Sequence, residues 1–115
     1  MSLSSRGAKI PEPIHVQRGT DLSFVLNFDY GTPDTGPNFS TATLSARIYT
    51  RANPVEEAAI TAVATSARQI VVTIPVSVSA AFVAHQAELE LIIATSATRK
   101  DNPIVGDVFF FGAAP

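Results

Sequence analysis

The sequence predicts an all-β domain: a two-sheet antiparallel sandwich of about seven strands with one short helix. Three observations lead there. Apolar residues fall on every second position in several short runs, which is the period of a strand with one wet face. Turn-forming Gly, Pro, Asn and Asp separate these runs at roughly ten-residue spacing. Each half-polar strand must bury its other face, and a second sheet is the simplest cover.

A chain of 115 residues has room for one core. With 46% hydrophobic and 16% charged residues, it is excluded from the disordered class. Net charge is −2, and the basic residues are scattered singly apart from Arg99–Lys100. No phosphate-tracking stripe results, which argues against a nucleic-acid partner. The absence of Cys rules out disulfides and thiolate zinc sites. No apolar run is long enough to cross a bilayer, and residues 1–9 lack the apolar stretch of a signal peptide. The expectation is a soluble protein made and used without Sec export, with no membrane partner and no cofactor.

Residues 1–12 have no hydrophobic period, and Pro11 and Pro13 keep them from helix; they read as an extended N-terminal arm. The sandwich domain is expected over 13–112, with 113–115 as a C-terminal tail. A short extended piece from Pro13 to Gln17 ends in the turn Arg18-Gly19-Thr20-Asp21. Then Leu22, Phe24, Leu26 and Phe28 alternate with Ser23, Asn27 and Asp29 in the clearest strand. Residues 30–40 hold Gly31, Pro33, Gly36 and Pro37 and form a loop. From Ala42 to Arg51, Leu44, Ala46 and Ile48 point one way, and Ser45, Arg47 and Tyr49 the other.

Residues 53–66 carry two conflicting signals. Asn53-Pro54 followed by Glu56-Glu57 reads as a helix start, whereas Ile60, Thr61, Val63 and Thr65 are β-branched. Strand is preferred, because the flanking strands otherwise lack a partner. Ile70, Val72 and Ile74 alternate up to Pro75; Ser77 is then placed to cap a short helix that stacks Val78 on Phe82. Gln86 to Thr95 returns to strand with Leu89, Leu91 and Ile93 inward and Glu88 and Glu90 in water. Thr98 to Pro103 is a polar turn, and Val105 to Phe111 is the last strand. The strands 71–74 and 89–94 are expected to need protected edges.

Catalytic chemistry has few candidates. Asp34-Thr35-Gly36 matches the triplet of aspartic proteases, but it lies between Pro33 and Pro37 with no hydrophobic strand leading in, so it reads as a turn in which Asp34 bonds its own backbone. His15 sits mid-strand and His85 follows the helix, neither at metal-ligand or triad spacing from a partner. Glu88 and Glu90 share one strand face about 7 Å apart, yet no aromatic sugar platform accompanies them. Asn38-Phe39-Ser40 matches a glycosylation sequon. Arg18-Gly19-Thr20-Asp21 lacks the lysine and spacing of a phosphate loop.

Phe109-Phe110-Phe111 is the informative oddity, because three consecutive residues of a strand cannot share one face. With Asp107 kept out of the core, Val108 and Phe110 point in while Phe109 and Phe111 point out, where Ile92 can join them. Either the arm or a loop covers these rings within the monomer, or they meet a partner. On the second reading Phe109, Phe111, Ile92 and the arm, with Ile10 and Ile14, form assembly contacts.

The order of features resembles the small immunoglobulin-like domains of tailed-bacteriophage virions. The resemblance runs over residues 13–111. It is carried by Ile14-His15-Val16, Arg18-Gly19-Thr20-Asp21 and the strand from Leu22, by Leu44-Ser45-Ala46-Arg47-Ile48 and Ile70 to Ile74, and by Ser77 to Phe82. Glu88-Leu89-Glu90-Leu91 and Gly106-Asp107-Val108-Phe109 match the closing hairpin. It implies an immunoglobulin-like sandwich and a non-enzymatic virion component of the tail, baseplate, neck or fibre attachment. The implied partners are other virion proteins and further copies of the chain. A capsid decoration protein and a carbohydrate- or receptor-binding module are the alternatives, and an Asp34-dependent dimeric protease is the enzymatic one.

Overall fold

The computed structural model describes residues 2–3 (backbone only), 10, 12–29, 32–33, 38–51, 55–94 and 104–113. Asp34-Thr35-Gly36, Arg99–Lys100 and most of the arm lie outside the described residues. The strands are β1 (Ser2–Leu3), β2 (Ile14–Gln17), β3 (Leu22–Phe28), β4 (Thr43–Tyr49), β5 (Glu57–Ser66), β6 (Gln69–Ile74), β7 (Gln86–Ala94) and β8 (Ile104–Phe111). One helix, α1 (Val76–Ala81), and a 3-10 turn at Phe39–Thr41 complete the described elements. The fold is an all-β sandwich, as the alternation predicts.

Pairing runs in the order β1-β3-β6-β5-β4-β7-β8-β2. The two outermost pairings, β1 with β3 and β2 with β8, are parallel; the rest are antiparallel. β5 turns the corner between layers. Its Tyr49-facing half, Glu57–Ile60, pairs with β4, whereas Thr61–Ser66 pair with β6. The 53–66 ambiguity thus resolves as strand over Glu57–Ser66, because both β4 and β6 require a neighbour there. The same register corrects the expectation about edges: β6 lies between β3 and β5, and β7 between β4 and β8.

Inner faces meet in one core. Leu26, Ile70, Val72 and Ile74 from one layer face Ile48, Leu89, Leu91 and Val108 from the other, and all eight are fully buried. At one end of this core Phe28 packs edge-on against Phe39, centroids 4.6 Å apart. At the other, Phe82 stacks on Phe110 at 4.9 Å. Each aromatic pair closes the sandwich where the strands run out.

Ile10 and Ile14 belong to this core, with Ile10 only 2% exposed. The amide of Ile10 donates to the Val105 carbonyl at 2.7 Å, so the chain is tied to β8 before β2 begins. That corrects the expectation that these two side chains face a neighbouring molecule: Ile14 is turned inward by its parallel pairing with Val108, and Ile10 by its tie to Val105 beside Gly106.

The short helix is capped from elsewhere in the chain. Pro75 occupies the N-cap, and its ring carries no group that could accept a hydrogen bond. Asp21 of the β2–β3 turn accepts the Val76 amide at 2.6 Å instead, and Ser79, fully buried, donates to the Thr20 carbonyl at 2.7 Å. Ser77 is exposed and makes no cap, which corrects its expected role. The turn itself needs Gly19, whose φ of 84° is strained for any residue with a Cβ.

Candidate functional site

Among the described residues, no group of three His, Cys, Asp or Glu side chains is placed to hold a metal ion. His15 and His85 stand apart in use. His15 stacks on Phe109 across the β2–β8 pair, centroids 5.6 Å apart, while the His85 Nδ1 lies 3.5 Å from an Arg18 nitrogen. Asn38 spends its side-chain oxygen on the Ser40 amide at 3.0 Å, holding the 3-10 turn.

Glu88 and Glu90 are engaged more closely than a solvated face would have them. Arg47, opposite Glu90 on β4, donates to Glu90 and to Glu57, each at 3.0 Å. Tyr49 donates its hydroxyl to Glu88 at 2.8 Å, and Arg51 reaches the same carboxylate at 3.2 Å. The hydrogen bond that Arg47 donates to Glu57, then the one it donates to Glu90, holds its guanidinium above the ordinary range. Cations interleave with carboxylates across three strands, an arrangement that locks the register. Sequence reasoning missed this ladder because register across strands is set by the fold.

The densest polar construction lies at the α1 end of the sandwich. Arg18 emerges from β2 and donates to the carbonyls of Phe82, Val83, Ala84 and Gly112, at 2.9, 2.9, 2.9 and 2.8 Å. Its fork geometry suits several oxygens at once. Glu56, from the β4–β5 connection, accepts the amides of Val83 at 2.9 Å and Ala84 at 2.7 Å. The segment after α1 is therefore held by a cation on its carbonyls and an anion on its amides. Strand end, helix and two loops are fixed to one another there.

Four large apolar side chains stand exposed on the segments of this clamp, among polar neighbours such as Gln17, Ser77 and His85. Val55 is 72% exposed, Val83 48% and Phe111 50%, with Val76 similar. Four of the six large hydrophobic side chains exposed among the described residues thus belong to segments tied together by Arg18, Glu56 and Asp21. Phe111 points out and Phe110 in, as the alternation predicts. Phe109 and Ile92 are half-buried on the outer face of their sheet. Three of the five side chains proposed as contacts thus lie outward, and Ile10 and Ile14 do not. Val55 and Val83 lie in connections and Val76 opens α1, so no strand period in the sequence marks any of them as displayed.

No family model matches the chain, and no curated protein matches it. Among solved structures it is similar to the N-terminal domain of phage TP901-1 ORF48, with 13% identity, 94% of each chain covered and a TM-score of 0.49. At that identity and score the likeness decides neither chemistry nor role.

Proposed function

We propose that the chain is a non-enzymatic structural component of a bacteriophage virion, an immunoglobulin-like assembly or adaptor module of the tail, baseplate, neck or fibre attachment. The single observation that carries the assembly reading is the rigid apolar end. Val55, Val76, Val83 and Phe111 are displayed on segments clamped by Arg18 and Glu56. Exposed apolar groups on a preorganised support bind a protein partner with little ordering cost. The phage reading is supported by the order of strands and turns from Ile14 to Phe111, to which the structural neighbour adds no weight. Strand pairing supports the immunoglobulin-like part: β3, β6 and β5 lie side by side in one layer, and β4, β7 and β8 in the other.

Co-expression with the products of neighbouring genes, followed by size-exclusion chromatography, tests the reading. The native chain is expected to co-elute with a virion protein, and Phe111→Ser/Val83→Ser to elute alone with its far-ultraviolet spectrum unchanged. A chain that forms no complex with any virion protein, or whose complex ignores these substitutions, would sink it.

A further inference from the structure

The outer face of the β3–β6–β5 layer carries three cross-strand rows. Ser23, Thr73 and Thr61 form one, Val25, Val71 and Val63 the next. Asn27 and Gln69 continue into the third, which Thr65 joins through Gln69. None of these nine outward residues is charged. Solvent faces of sheets are ordinarily studded with Lys and Glu, and the other layer of this sandwich follows that rule with Arg47, Glu57, Glu88 and Glu90.

The polar rows are already satisfied sideways. The hydroxyls of Ser23 and Thr73 lie 2.8 Å apart. Thr65 donates to the Gln69 side chain at 2.7 Å, and Gln69 in turn donates to Asn27 at 2.8 Å. Little is therefore lost when water leaves this face. Val63, on β5 in the middle row, stands 61% exposed.

We infer that this face is a self-association surface, on which a second copy of the chain stacks sheet against sheet. Charge decides the occupant. A partner presenting ions would strip their hydration against three rows that offer no counter-charge, whereas the nine residues of these rows, opposed to their own copies, bring no ions together. Asp21 and Asp29 flank the rows at the two ends of β3. The row pattern is also self-complementary. A two-fold axis along the strands sets valine on valine and hydroxyl on hydroxyl, as an isologous contact requires.

Area sets the strength. Three strands about 4.8 Å apart, with outward residues roughly 7 Å apart along each, cover on the order of 300 Å² per copy. A standard stable interface needs about 800 Å² per partner. The contact is accordingly weak between free chains and becomes effective where copies are already held close. The inference uses a different face from the α1 end and stands or falls separately from the proposed function.

Sedimentation equilibrium of the full chain, from about 10 μM to about 1 mM, tests it. The native protein should show a reversible monomer–dimer equilibrium, and Val63→Lys should weaken it at least tenfold (1.4 kcal/mol). Phe111→Ser should leave it unchanged. Where Val63→Lys lacks native circular dichroism, Thr61→Lys on the same face takes its place. A native chain that stays monomeric at the highest concentration overturns the inference. So does a dimer that survives the lysine variants or is abolished by Phe111→Ser alone.

Discussion

A Cβ built on Gly106 would stand 2.9 Å from Cδ1 and 3.1 Å from Cβ of Ile10. The glycine is a notch in β8, and the isoleucine fills it. Backbone angle does not demand glycine here, since among the described residues only Gly19 and Gly112 have positive φ. Space does. Gly106→Ala should therefore destabilise the fold by about 1–3 kcal/mol through overpacking, and Ile10→Ala by about 2–5 kcal/mol through the cavity left behind. The double variant should lose less than the two summed. Urea denaturation of all four chains measures the coupling, and strict additivity would mean that the two side chains do not meet.

Arg18→Met should cost about 1–3 kcal/mol, since it removes a guanidinium that donates to four carbonyls. Lysine should recover little of the loss, because one ammonium cannot reach oxygens spread around a planar fork. Hydrogen exchange should report the effect locally. Amides of residues 82–85 are expected to lose protection in the variant while those of β6 keep theirs.

Capping of α1 separates two aspartate-or-serine explanations. Asp21→Ala should lower stability by about 0.5–2 kcal/mol, as the Val76 amide loses its acceptor. Ser77→Ala should be neutral within about 0.5 kcal/mol, because Ser77 is exposed. Thermal unfolding of both variants checks this, and a reversal of the order would restore the local cap.

The Arg47 ladder should be a salt-sensitive feature. Arg47→Met retains much of the aliphatic cover over Tyr49, whose ring lies 4.4 Å from the guanidinium, but removes the charge. Its melting temperature should fall below that of the native chain in dilute buffer, and the gap should narrow in about 1 M NaCl. The guanidinium is held above its ordinary value chiefly by Glu57, so its contribution is full below the unfolded value and fades only as pH rises through the folded one. Between about pH 6 and pH 9 the gap should stay flat as far as Arg47 is concerned. A gap that changes steeply in that window would point to another titrating group.

Much of the fold was legible because burial alternates along single strands. Leu26 and Phe28 inward, Phe110 inward beside an outward Phe111, and the buried set Leu89, Leu91 and Ile93 all follow from period two alone. What escaped the sequence depends on residues far apart in the chain. The cap of α1 comes from Asp21, 55 residues before Val76. Ile10 reads as part of a loose arm until Gly106 is seen to receive it. Glu88 and Glu90 look free until the β4–β7 register sets Tyr49 and Arg47 opposite them. Of the candidate site, the phenylalanines were readable from strand parity, whereas Val55, Val76 and Val83 gain meaning only through the clamp that gathers them.

The parallel pairing of β2 with β8 has a consequence for synthesis. Arg18 and the carbonyl it holds at Gly112 are 94 residues apart. The ribosome therefore delivers Ile14 and Val16 long before β8 exists to cover them, and contacts so distant in sequence close late. During that interval, neighbouring nascent chains can supply the missing strand to one another. Slower translation lengthens that interval and so favours entwined dimers.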